Sequence, residues 1–533
     1  MHSRHTVVTS GHALLDGLVT SCVEHPDRIA VTDLRSSSQH SFSDIQHAAE
    51  SAGTHLHQLG VRAGDNVVVT LPLGVELIAY CYGAFLVGAV PAFLDPNQPP
   101  DTLAACLTDL EAPVWVSELP CPGVDLYDGI ICAPTSAAFD SDRLGTVLPD
   151  LSRTERQWDI ADTVLLLYTS GTTGIPKGVP WTSRELASQM RYYRSDEISS
   201  EFCLFPHLAL VAVAMGRRVV LPDLDTVQPA HFDVAALYRQ LAGSGSDYLF
   251  ASPLVWHRLI THTDQHHLPA PALRRVATAG SAIGARLVER MQDRLAPAEV
   301  VVPYASTEAL MPITLIGADE HVYRSKLGTW TGKGTPLGRP AVDMDVAVVE
   351  PQFEGPYFDV ALDGLPADRT GEIVVSGARV STNYFHRDDA VRAAKLRDTR
   401  TGEIWHRTGD FGYIDPSGLV WYLCRRKDVV DSRHGPIHPD ALEQMWNMVT
   451  GFLLSAVVYL EDLDRLFYVF PHDEDPRAVD LGTMAVLAQR LHLPGPTPVH
   501  LSTALPTDPR HNSKIDRGQL RRLVEHLVAT EGL

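Results

Sequence analysis

The stretch Leu165-Leu-Leu-Tyr-Thr-Ser-Gly-Thr-Thr-Gly-Ile-Pro-Lys-Gly-Val179 constrains this chain more than any other. Apolar residues run from Val164 to Leu167, as in a buried strand. A burst of hydroxyls and glycines follows, then a proline, a lysine and a last glycine. Gly171 and Gly174 let the backbone turn tightly and bring N–H groups close to an anion. Thr169, Ser170, Thr172 and Thr173 add short hydroxyl donors, and Lys177 adds a compact positive charge. That combination suits a polyphosphate. It is not the Walker A pattern, because no Gly-Lys-Ser/Thr closes it, so a P-loop NTPase is disfavoured.

The chain has 533 residues, enough for more than one domain. Its formal net charge of −21 disfavours nucleic acid as a partner and a basic membrane-surface role. No apolar run is long enough to span a bilayer, and the opening Met1-His-Ser-Arg-His-Thr leads into no signal-peptide core. Seven cysteines are dispersed without a CxxC pair, which reads as free thiols in a reducing compartment, so a cytoplasmic location is expected. The nearest thing to a metal pattern is His262, His266 and His267, which reads better as a polar helix end. Lysine occurs only at 177, 326, 333, 395, 427 and 514. Lysine and arginine are not interchangeable where a compact charge is needed. Lys177, Lys427 and Lys514, each in a polar motif flanked by glycine or arginine, therefore stand out as functional candidates.

Along the chain, helical and strand patterns alternate as in a mostly parallel sheet covered by helices. Helical spacing covers 14–23, 43–59 (with Ser43 as N-cap) and 75–87, the last apolar on most faces; strand patterns cover 29–32, 64–70 and 89–94. Residues 119–152 read as loops with one short strand. Thr182-Ser-Arg-Glu185 is a capping box that opens a helix. Strands at 273–278 and 300–304 end in the polar turns Ala279-Gly280-Ser281 and Ala305-Ser-Thr-Glu308. Ligands gather beyond the carboxyl ends of strands in such sheets. From about Gly338 the pattern becomes β-rich, and 429–533 mixes helices with short strands. The expected class is therefore α/β: a large N-terminal domain of helix-covered mixed sheets with a β-rich subdomain, and a small mobile α+β C-terminal domain. The expected boundaries are 1–423, a hinge at 424–428, and 429–533.

Four sites occur in order, Tyr168–Val179, Tyr304–Ala309, Trp405–Asp415 and Cys424–Asp428, followed by Asn512-Ser-Lys-Ile-Asp-Arg517. Taken singly they are bland: Asp410 reads as a turn aspartate, Tyr304 as a strand aromatic and Lys514 as a solvated lysine. As an ordered set they resemble the adenylate-forming superfamily of acyl-CoA synthetases, luciferases and adenylation domains over nearly the whole chain. The resemblance implies ATP and Mg²⁺ as cofactors. It implies that Thr169, Ser170, Gly171, Thr172, Thr173, Gly174 and Lys177 hold the β- and γ-phosphates. Tyr304 would stack on adenine, Thr307 meet the α-phosphate and Glu308 help to hold Mg²⁺. Asp410 would accept both ribose hydroxyls, with Arg425 supporting the ribose. Gly280 and Ser281 would line the acyl-adenylate channel. Lys427 or Asp428 would be the hinge, and Lys514 would bridge the substrate carboxylate and the α-phosphate.

Finer features narrow the resemblance. Phe205-Pro-His-Leu-Ala-Leu-Val-Ala-Val-Ala-Met-Gly216 is shorter than the corresponding stretch of typical acyl-CoA ligases. With its Pro222-Asp-Leu-Asp225 continuation, Leu94-Asp-Pro96, Trp405-His-Arg407 and Asp508-Pro-Arg-His-Asn-Ser-Lys-Ile515, it is similar to the olefin β-lactone synthetases. The resemblance then implies adenylation of a 3-hydroxy acid, 2-alkyl-branched in that subfamily, and closure of a β-lactone by the acid's own hydroxyl. His207 is a candidate base for that step. Partners would be the small-molecule acid and neighbouring enzymes of lipid or specialised metabolism. The family pattern is altered at Ala305, Cys424 and Ser513, where glycines are usual. Gly435-Pro-Ile-His-Pro439 and Glu443 keep a pattern of CoA-using relatives, so an acyl-CoA synthetase or a ligase loading a carrier protein is the alternative. A non-catalytic acyl-binding relative is the second.

Overall fold

The computed structural model describes residues 10–95, 98–118, 131–134, 156–169, 176–195, 197–225, 233–350, 359–472, 474–506 and 515–531. Among them, two large sheets and their helices make up the bulk of the molecule.

The first sheet has six strands in the order Ile131–Pro134, Val114–Ser117, Asn66–Val69, Val90–Phe93, Thr163–Thr169 and Lys177–Thr182. All neighbours are parallel except the last pair, which is an antiparallel hairpin. The helix Val75–Val87 that covers this sheet is buried on nearly every face, in keeping with its all-round apolar sequence. It meets the helix Phe42–Gln58 through glycine. A Cβ on Gly83 would lie 2.6 Å from the Gly53 nitrogen, so only hydrogen allows the two backbones to approach this closely. The helix Phe42–Gln58 begins two residues earlier than its hydroxyl pattern suggests. Ser41, not Ser43, is the N-cap, because Asp44 reciprocates as the third helical residue and this start buries Phe42 completely.

The second sheet contains the parallel strands Ile29–Asp33, Arg218–Leu221, Ser200–Phe202, Tyr248–Ala251, Arg275–Thr278 and Glu299–Ser306. The strand Ala309–Gly317 turns back antiparallel on the last of these. It continues into an antiparallel β-rich region built from Thr335–Pro340, Val420–Arg425, Ile404–Ile414, Gly371–Gly377 and Met344–Val349. Beyond it, Ala456–Leu460, Arg465–Phe470 and Pro496–His500 form a separate three-stranded sheet flanked by the helices Pro439–Thr450, Leu481–Arg490 and Arg517–Glu531. This last unit has hydrophobic cores of its own, around Trp446 and Tyr468 on one side and Phe467 and Leu520 on the other.

No helix among the described residues is long and apolar enough to cross a membrane. Cys22, Cys81, Cys106, Cys203 and Cys424 are buried thiols. A cleft of about 860 Å³ lies between the helices Ala285–Leu295, Ala318–Gly328 and Pro439–Thr450, and none of the candidate site residues lines it.

Candidate active site

The site is assembled where two β-hairpins and one irregular segment meet. In the first hairpin, Thr169 ends one strand and Lys177 opens the next, and the two are directly paired across the ladder. The glycine- and hydroxyl-rich stretch of the sequence lies between them. Ser170, Gly171, Thr172, Thr173 and Gly174 lie outside the described residues, as does Lys514. The side chain of Lys177 is half-buried, with Nζ 5.3 Å from the centre of the Tyr384 ring.

The second hairpin joins Glu299–Ser306 to Ala309–Gly317, with Thr307 and Glu308 as its two-residue turn. The register shifts between Tyr304 and Ser306, so Ala305, in place of the usual glycine, sits at a bulge. Trp181 Nε1 donates to the Thr307 carbonyl at 2.8 Å, which ties the turn to the first hairpin. Ser381 N donates to the Glu308 carbonyl at 2.9 Å, and the Tyr384 hydroxyl donates to Glu308 Oε1 at 3.0 Å. The segment around Ser381–Phe385 is itself laid along the first hairpin. Ser381 Oγ donates to the Pro180 carbonyl at 3.0 Å, and Phe385 N to the Gly178 carbonyl at 2.8 Å. Lys177, Thr307, Glu308 and Tyr384 are thereby brought together from three distant parts of the chain.

A second cluster adjoins it through Tyr304. The strands Ile404–Ile414 and Val420–Arg425 pair Asp410 opposite Arg425. Asp410 Oδ1 lies 3.0 Å from Arg425 Nη1, while Oδ2 accepts the Tyr304 hydroxyl at 2.5 Å. Arg425 Nη1 also donates to the Thr408 carbonyl at 3.0 Å, and Asp410 N donates to Thr408 Oγ1 at 3.0 Å. The Asp410 carboxylate holds the Arg425 guanidinium well above its ordinary range, and burial together with Asp410 raises the Tyr304 phenol. Each carboxylate oxygen still has a second lone pair, so Asp410 can accept hydroxyls from a ligand without giving up either partner.

Gly280 follows the strand Arg275–Thr278 with φ +107°, a conformation that favours glycine, and nothing within 4 Å would meet a Cβ there. Ser281 beside it is half-buried. Lys427 is exposed on a single 3₁₀ turn, Arg426–Asp428. Asp428 lies 3.5 Å from Arg517, which also meets Asp440 at 3.1 Å and Glu443 at 2.7 Å. Glu443 is buried and accepts a further hydrogen bond from Val457 N. It therefore ties the helix Pro439–Thr450 to the strand Ala456–Leu460 and to Arg517.

His207 stands on the nine-residue helix Pro206–Ala214, edge-on to Trp181 at 5.3 Å and tilted against Phe205 at 6.0 Å. Burial lowers its pKa to about 4, so it is neutral at physiological pH. Trp181 thus contacts both His207 and the Thr307 turn.

Sequence reasoning missed Trp181, Tyr384 and Lys395. Lys395 opens a short strand opposite His406 and is completely buried. Its ammonium donates to the Ser381 carbonyl and lies 5.1 Å from the centre of the Tyr384 ring. Burial lowers its pKa to about 8, against the opposing pull of Glu308 and Glu185. The available signal was its scarcity, as one of six lysines, but it lies in no polar motif flanked by glycine or arginine.

Residues 18–385 match the family described as AMP-binding enzyme. The chain belongs to that family, and it is an ATP-dependent, AMP-forming ligase. It is 29% identical over 503 residues to an olefin beta-lactone synthetase of Stenotrophomonas maltophilia (strain K279a), covering 90% of this chain and 89% of the relative. It is 27% identical to the olefin beta-lactone synthetase of Xanthomonas campestris pv. campestris, with the same coverage. Among solved structures, the anthranilate CoA ligase AuaEII in complex with anthranoyl-AMP matches 98% of the chain and 99% of its own, with TM-score 0.78 and 17% identity. The O-succinylbenzoate coenzyme A synthetase of Bacillus subtilis in complex with ATP and magnesium ion matches with TM-score 0.72 and 19% identity, over 95% of this chain and 99% of that one. At such identities the structures establish the shared fold.

Proposed function

We propose that the protein adenylates a 3-hydroxy carboxylic acid, one with a 2-alkyl branch, and closes it to a β-lactone, releasing pyrophosphate and then AMP. The observation that carries this reading is near full-length similarity to two olefin beta-lactone synthetases. The short Pro206–Ala214 helix, which places a neutral histidine against the Trp181–Thr307 link, is consistent with it.

In the first half-reaction a carboxylate oxygen attacks the α-phosphorus and the bond to pyrophosphate breaks. Asp410, held by Arg425 and Tyr304, accepts the ribose hydroxyls and fixes the nucleotide. Lys177 and the adjoining turn hold the departing phosphates, and Thr307 meets the α-phosphate. Lys514 bridges the carboxylate and the α-phosphate, where negative charges are brought together. Lys427 and Asp428 are the hinge about which residues 429–533 would turn.

Glu308 suits Mg²⁺: among the described residues only its Oε1 takes a side-chain hydrogen bond, and no cluster of three metal-ligating side chains exists. Mg²⁺ is typically held by one or two carboxylates plus substrate phosphates rather than by an all-protein cage. Bound there, the ion would neutralise charge on the phosphates during transfer.

In the second half-reaction the β-hydroxyl oxygen attacks the acyl carbon, and the carbon–oxygen bond to AMP breaks. The nucleophile is tethered, so folding of the substrate chain supplies proximity. His207, neutral and beside Trp181, is the candidate acceptor of the hydroxyl proton. The test is incubation with ATP, Mg²⁺ and a 2-alkyl-3-hydroxy acid without CoA. A lactone, or its decarboxylated alkene, on gas chromatography supports the reading. AMP release that requires CoA or a carrier protein would replace it with the acyl-transfer alternative.

A further inference from the structure

We propose that Lys395 is a positioning residue, acting through Tyr384 and Ser381 to hold Glu308 where a divalent cation on the nucleotide phosphates is met. The inference rests on the proposed reading of Glu308 as the Mg²⁺ carboxylate.

Lys395 is fully buried, and no carboxylate among the described residues lies within salt-bridge distance of its ammonium. A buried ammonium is costly unless its surroundings compensate it. The carboxylates of Glu308 and Glu185 act on it from beyond ion-pair distance, and its direct contacts are with two residues. Its Nζ donates to the Ser381 carbonyl and lies against the ring of Tyr384. The same two residues hold Glu308, Ser381 by its N–H on the Glu308 carbonyl and Tyr384 by its hydroxyl on Oε1. One ammonium thus fastens the two groups that fix the backbone and the side chain of the hairpin turn.

A direct role on the phosphates fits less well. Lys177 is the half-exposed cation on the same Tyr384 ring, whereas Lys395 is wholly enclosed. Its strand position explains the enclosure. It pairs with buried His406, immediately after the seven-residue helix Asp388–Ala394.

The test uses the full chain and titration calorimetry of ATP, once with Mg²⁺ and once with EDTA. In the wild type, Mg²⁺ should tighten ATP. Lys395→Met and Tyr384→Phe should each reduce that tightening about tenfold while leaving the EDTA affinity unchanged, the size expected for loss of a bond to a charged group. The double variant should be no worse than either single, because both act on one carboxylate. Should Lys395→Met not fold, Lys395→Arg, which keeps a cation against the ring but changes its shape, should show the same selective loss at about threefold. An unchanged ratio of the two affinities, or an EDTA affinity that weakens equally, overturns the proposal. If Mg²⁺ does not tighten ATP in the wild type, the reading of Glu308 fails and this inference falls with it.

Discussion

Replacing Asp410 with asparagine removes one charge and no volume. Its side chain is only 8% exposed, with one oxygen 3.0 Å from Arg425 and the other accepting the Tyr304 hydroxyl. If the carboxylate also accepts the two ribose hydroxyls, an amide retains one acceptor oxygen and turns the other position into a donor. Hydrogen bonds to charged groups contribute about 1.5–3 kcal/mol each. At 1.36 kcal/mol per decade, loss of one such bond weakens ATP by about 10- to 150-fold. The assay is carboxylate-dependent exchange of pyrophosphate into ATP, with the KM for ATP compared against that for 2′-deoxyATP and 3′-deoxyATP. Wild type should discriminate strongly against both deoxy nucleotides, and Asp410→Asn should lose most of that discrimination as the KM for ATP rises. A variant that keeps both the wild-type KM and the wild-type discrimination would refute the assignment of Asp410 to the ribose. Thermal melting distinguishes this from general damage, because Arg425 keeps its bond to the Thr408 carbonyl in either case.

Other perturbations read separate parts of the site. Trp181→Phe deletes the donor to the Thr307 carbonyl and should slow pyrophosphate exchange several-fold, for a loss of about 1 kcal/mol; an unchanged rate would detach Trp181 from the turn. Glu372→Gln breaks a buried pair in which Arg407 donates at 2.6 Å, and should cost about 3–5 kcal/mol in denaturant unfolding, whereas a loss below about 1 kcal/mol would place that pair in solvent. Because burial lowers His207 from 6.5 to about 4, the unfolded chain binds its proton first on acidification. Its contribution to stability is therefore complete above pH 6.5 and is lost as pH falls from there to about 4. For the same reason lactone release from preformed acyl-adenylate should show no inflection near pH 6.5, and a limb there that disappears in His207→Gln would contradict a neutral His207.

The parts of this site that are local in sequence were legible in advance. The apolar run at 164–167 forms a strand as its pattern suggests, whereas the return strand Lys177–Thr182 that pairs with it was not read from the sequence. The capping box at Thr182–Glu185 forms as its spacing suggests. What a single sequence hides is the company a residue keeps. The Tyr304–Asp410 hydrogen bond joins positions 106 residues apart, and Arg379 reaches Ser188 across 191. Lys395 illustrates the same limit. Its neighbours in sequence, Ala393, Ala394 and Leu396, suggest a helix end, and only packing shows that it shares Tyr384 with Lys177. Glu443 shows the same limit: its sequence pattern says nothing of the contacts with Arg517 and Val457 that packing gives it.

Oxygen isotopes test adenylation followed by ring closure most directly. A 2-alkyl-3-hydroxy acid would be labelled with ¹⁸O in its carboxylate in one experiment and in its hydroxyl in another, then converted in a single turnover without CoA. Carboxylate attack on the α-phosphorus, followed by hydroxyl attack on the acyl carbon, predicts one carboxylate oxygen in the phosphate of AMP and retention of the hydroxyl oxygen in the lactone ring. Loss of the hydroxyl oxygen to AMP, with both carboxylate oxygens kept in the lactone, would contradict it.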